Sequence, residues 1–129
     1  MTKGFPTNTS DILPDDANRA VLIGRIWDPR VAGPTPVLLD GETLRDISKL
    51  GPTISQILER DDLLESLSNA ANFPTVASLD EILDQSRPDA DENNPHLLAP
   101  NDLHAIKASG VTFVASLLER VIEEQARGD

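Results

Sequence analysis

The apolar positions of this 129-residue chain change their period along its length. Ala20-Val21-Leu22-Ile23-Gly24-Arg25-Ile26-Trp27 is a short, β-branched run closed by Asp28-Pro29, and it predicts a buried strand. Pro29, Gly33, Pro34 and Pro36 predict a stiff loop after it. Thr35–Leu39 and Glu42–Ile47 flank Asp40-Gly41, which predicts a hairpin with a type I′ turn, where both central residues take positive φ. From residue 53 the period becomes helical. Thr53 with Gln56, Asp62 with Glu65, and Ser78 with Glu81 have capping-box spacing. Each pair heads an apolar repeat: Ile54, Ile57 and Leu58; Leu63, Leu64 and Leu67; Leu79, Ile82 and Leu83. Three short helices are expected there. Ser86–Pro95 is a polar, acidic loop.

The last third reads as strand, turn and helix. Leu97–Pro100 and His104–Ala108 are expected to be extended, and Ser109–Thr112 to turn. Phe113–Ala126 is the longest helical pattern, with Thr112 as its N-cap and Gly128 suited to its end. Phe113, Leu117, Val121, Val114, Leu118 and Ile122 give it a broad apolar stripe. The fold class expected is α+β: a small antiparallel β unit, short helices, and a terminal strand–turn–helix. Three segments follow: a mobile arm over 1–18, rich in Thr, Asn, Ser, Asp and Pro; an α+β domain over 19–100; and the start of a second unit over 101–129.

Composition narrows the functions. Asp and Glu number 22 against 11 Lys and Arg, a formal charge of −11, which argues against nucleic acid and against an anionic membrane surface as partners. With no Cys, disulfides, thiolate metal sites and a Cys nucleophile are excluded. One Trp, three Phe and no Tyr make no stacking platform for bases. No apolar run reaches the length of a membrane span, and residues 1–16 lack the apolar stretch of a signal peptide, so a soluble cytoplasmic protein is expected.

Few residues suggest chemistry. His96 and His104 stand in no H-E-x-x-H or H-x-x-H frame and read as loop and surface histidines. There is no P-loop, no G-x-G-x-x-G and no G-x-S-x-G. Asp61-Asp62 and Glu123-Glu124 are adjacent, so on a helix they point about 100° apart and share no proton. Ser116 and Glu119 differ: at i and i+3 they share one helix face, just after the Gly110 turn. A hydroxyl and a carboxylate there can orient or deprotonate a water or a substrate carbon, or simply face solvent.

The segment Leu97-Leu98-Ala99-Pro100, then Ala105-Ile106-Lys107-Ala108-Ser109-Gly110-Val111-Thr112-Phe113, then Leu118-Glu119-Arg120 resembles the fumarylacetoacetate hydrolase superfamily. Gly110-Val111-Thr112-Phe113 stands where that family has Gly-x-Asn-Tyr, and Ser116-Leu117-Leu118-Glu119 where it has His-x-x-Glu. Leu22–Trp27 and the Asp40-Gly41 hairpin are similar to the family's N-terminal domain. The resemblance implies that 101–129 begins a catalytic domain, a β-roll, whose downstream Glu-x-Glu and Asp bind Mg²⁺ or Mn²⁺. It implies no metal bound by this chain alone, a 2-keto acid substrate, and a homo-oligomer for the full-length protein. It assigns Glu119 and Ser116 to catalysis, and Gly110 and Thr112 to the turn that presents them to substrate. Ser116 in place of the His that activates water in the hydrolases is similar to the branch that dehydrates 2-keto-3-deoxy sugar acids. Hydrolysis of a β-diketone acid stays as the alternative. So does a non-catalytic packing or oligomerisation module for the isolated chain.

Overall fold

The computed structural model of the protein describes residues 5–110 and 114–126. Its fold is α+β. Five strands, β1 (Ile23–Asp28), β2 (Gly33–Asp40), β3 (Thr43–Asp46), β4 (Thr75–Ser78) and β5 (His96–Leu98), form one sheet in the order β4-β3-β2-β1-β5. All of its pairings are antiparallel. Three short helices, α1 (Ile54–Leu58), α2 (Leu63–Leu67) and α3 (Leu79–Gln85), accompany the sheet, and α4 (Val114–Ala126) follows.

The sheet is buried on both faces, and β2 shows why. Val37 and Leu38 are neighbours in sequence, so they point to opposite faces, yet both are buried. Val37 packs with Ile26, Leu44 and the α3 residues Leu79, Ile82 and Leu83. Leu38 packs with Ile47, Phe73, Ile57 of α1 and Leu67 of α2. The helices are therefore the two covers that the apolar sheet faces require.

Several expectations change in detail. The stretch 33–36 is not a loop: Pro34 and Pro36 lie in β2, paired with Trp27 and Arg25. The Leu39 N–H donates to Leu22 O on the β1 side, whereas Pro36 O accepts from Ile47 N on the opposite side. Residues two apart face the same way, so the prolines lack only N–H groups that would point away from β1. On that side the β3 ladder begins only at Val37, and locally the strand is an edge.

The hairpin is present, but its turn is shifted by one. Asp40 pairs with Thr43, so Gly41 and Glu42 are the central residues. Gly41 has φ 61°, and the one non-glycine residue at positive φ among those described is Ala32. Positive φ at the first central residue alone is the type II′ pattern, not I′.

All three short helices form where their caps predict. Thr53 and Ser78 are extended, and their hydroxyls accept the N–H of Gln56 and of Glu81. Asp62 is not extended (φ −98°, ψ 19°) and caps nothing. Its carboxylate takes Arg60 Nη2 at 2.8 Å and Ser66 Oγ at 3.0 Å instead.

Within 5–18, Leu13 packs against the α3-side core, and a 3₁₀ turn at Thr9–Asp11 lies against α3. That part of the expected arm is tied down by its one apolar anchor. His104–Ala108 forms no strand. It pairs with neither outer edge of the sheet, β4 or β5. The expected N-cap Thr112, Phe113 and Gly128 lie outside the described residues.

Candidate functional site

The sequence points to α4 and the turn before it. Gly110 has φ 78°, the left-handed region that glycine enters without a Cβ penalty. Thr112 lies outside the described residues. Ser116 and Glu119 both fall on α4, one helical turn apart. Glu119 is exposed, as are its neighbours Arg120, Glu123 and Glu124. Of the apolar stripe, Val114, Leu118, Val121 and Ile122 are exposed too, from 43% to 74%. α4 thus carries the predicted pair on a helix whose described side chains face open space.

No group of three or more His, Asp or Glu residues is positioned to hold a metal ion among the described residues. No helix of the described residues is long and apolar enough to cross a membrane.

A denser polar cluster lies where the chain leaves β5. There Asp102 reaches the head of α1. Its carboxylate accepts the N–H of Ile54 at 2.7 Å and of Ser55 at 3.1 Å. It also accepts the Ser55 hydroxyl and the N–H of Leu103 at 2.7 Å. Arg25 Nε lies 3.8 Å away, and the Asp102 side chain is 8% exposed. Arg25 Nη1 donates to Ala99 O at 3.2 Å and Asn101 O at 3.0 Å. Burial works to raise the Asp102 pKa. The hydrogen bonds from the Ser55 hydroxyl and from the Leu103, Ile54 and Ser55 amides outweigh it and hold the carboxyl well below the usual carboxylate range. The group stays charged at any physiological pH.

His104 stands beside this cluster. Its Nδ1 accepts the Asp102 N–H at 3.4 Å, so in the neutral ring the proton sits on Nε2. Nε2 is buried and has no partner among the described residues. The ring borders two surface cavities. One, of about 490 Å³, is lined by Ser55, Gln56, Glu59, Leu103, His104 and Ala105. The other, of about 300 Å³, is lined by Ile23, Ile54, Leu58, Pro100, Asn101 and His104.

Ser55, Asp102 and His104 are the residue types of a nucleophilic triad, but not its wiring. A serine nucleophile gives its proton to an imidazole that a carboxylate orients. Here the Ser55 hydroxyl donates straight to the carboxylate. The constellation holds two segments together and arms no nucleophile. Sequence reasoning missed it because Asp102 caps a helix 48 residues upstream, and no local spacing reports that.

No protein-family model matches the chain, and neither a curated protein nor a solved structure matches it.

Proposed function

We propose that the chain is the N-terminal portion of a metal-dependent enzyme of the fumarylacetoacetate hydrolase superfamily, a cytoplasmic, homo-oligomeric lyase that dehydrates a 2-keto-3-deoxy sugar acid. The observation that supports this most is a coincidence on α4. The helix that carries the Ser116-x-x-Glu119 frame also exposes the apolar residues Val114, Leu118, Val121 and Ile122, which the sheet domain leaves uncovered. A catalytic helix of this kind works against a further surface that shields it from water.

Dehydration of a 2-keto-3-deoxy acid takes a proton from C3, next to the keto carbon, and expels the C4 hydroxyl as water. In this reading Glu119 moves the proton and Ser116 hydrogen-bonds the substrate. Gly110 and Thr112 shape the turn before them. A divalent ion, when bound, stabilises the enolate that forms. The described residues assemble no set of ligands for it, so no step here runs through the metal.

The test is the protein expressed from its full reading frame, supplied with Mg²⁺ and a 2-keto-3-deoxypentonate. Consumption of substrate with loss of water supports the reading. Glu119→Gln should then lower kcat by about 10²–10⁴-fold, the usual contribution of a positioned acid/base, with Mg²⁺ affinity intact. Near-wild-type kcat returns Glu119 to a solvated helix face. Cleavage of a C–C bond in a β-diketone acid, with no dehydration, replaces the lyase by the hydrolase.

A further inference from the structure

We infer that Asp102 is the fixed end of a hinge between the sheet domain and α4, so that residues up to Leu103 move with the sheet while residues 105–110 let the chain beyond them turn. This stands apart from the reading of function above.

One contrast carries it. Up to Leu103 the chain is bound to residues far away in sequence. Arg25 holds the carbonyls of Ala99 and Asn101, and the Asp102 carboxylate is held by Ile54 and Ser55. The Leu103 N–H donates to both Asp102 and Ser55 Oγ. From Ala105 to Gly110, by contrast, every residue is exposed, and none is in regular structure. Ile106 is 78% exposed, so not even the one large apolar side chain of this stretch is used as an anchor. No hydrogen bond ties these six residues to any other described residue. Fully extended, six residues span at most about 20 Å, which sets the tether that they alone provide.

The segment therefore passes from multiply bonded to unbonded within two residues, and the boundary is a single carboxylate. Ordering the exit loop opposes chain entropy, and Asp102 is the group that concentrates the compensating hydrogen bonds.

Amide hydrogen exchange on the 129-residue chain tests this. In the wild type, the amides of Ile54, Ser55 and Leu103 should be protected, and those of 105–110 should exchange as in an unstructured peptide. In Asp102→Ala, exchange at Ile54, Ser55 and Leu103 should rise by about tenfold or more, the factor expected for losing net hydrogen bonds, with β2 and β3 unchanged. Protection of 105–110 as strong as in the strands overturns the inference. So does an Asp102→Ala variant in which Leu103 stays protected. If that variant loosens β2 and β3 as well, Ser55→Ala, which removes one hydroxyl, is judged by the same criterion.

Discussion

At the end of β1, Asp28 is 1% exposed, and its carboxylate meets the Arg30 side chain at 2.7 Å through Nη2 and at 3.0 Å through Nε. The Arg30 N–H adds a third bond, at 2.9 Å. The Arg30 side chain, ahead of the opposing effect of burial, holds the Asp28 pKa below its ordinary value. A carboxyl lowered in this way adds stability above its unfolded pKa, and that stability is lost as pH falls through the folded value. Arg30→Ala leaves the buried carboxylate with a single backbone donor. It should cost about 1–3 kcal/mol near neutral pH, with a smaller loss once the pH falls below the ordinary carboxylate range and through the lowered folded value, read from urea melts across pH. The sequence shows Asp28-Pro29 as a strand stop, and it is one. What the sequence does not show is that the stop is a buried carboxylate held by the side chain of an exposed arginine. Gly41 is similar: Asp-Gly announces the turn, but the pairing of Asp40 with Thr43 puts Gly41 first in it. Asp102 is illegible because its distant partners come from β1 and α1.

Among the elements, α3 has the fullest local specification. Ser78 Oγ accepts the Glu81 N–H at 3.2 Å, and Glu81 Oε2 accepts the Ser78 N–H at 3.0 Å. Leu79, Ile82 and Leu83 then bury one side of the helix against the sheet. Ser78→Ala should destabilise the protein by about 0.5–2 kcal/mol, and Ser78→Asp by less, in thermal or denaturant unfolding. α1 was legible for the same reason, since cap and apolar spacing lie within one turn, and α2 by its apolar spacing alone. β2 was legible only in part. Two prolines and a glycine argue for a loop, and only the neighbouring strands reveal that the missing N–H groups face a side without a ladder. The extended reading of His104–Ala108 failed for the complementary reason: a strand is a property of a pair, and this stretch pairs with no strand of the sheet.

In the molecule as a whole, the described residues of the two apolar clusters on either face of the sheet belong to 13–97, and no described side chain of α4 adds to either. A chain ending at Gly110 should therefore melt within a few degrees of the 129-residue chain, because the described side chains of α4 are exposed and losing such side chains changes little. A large drop in Tm would show that α4 supports the sheet domain. The same separation explains the state of the predicted site. Ser116 and Glu119 could be singled out from spacing, yet α4 holds Glu119 in the open, and the most connected polar cluster lies at Asp102 instead. The α+β class, the hairpin and the three short helices were determined by the sequence alone, because turn chemistry, the caps of α1 and α3, and hydrophobic period act over a few residues. The strand order, the proline-bearing strand and the Asp102 anchor were decided only by tertiary structure. Each depends on which backbone groups lie opposite one another once distant segments pack, and hydrogen-bond partners 48 or more residues apart leave no period in the chain.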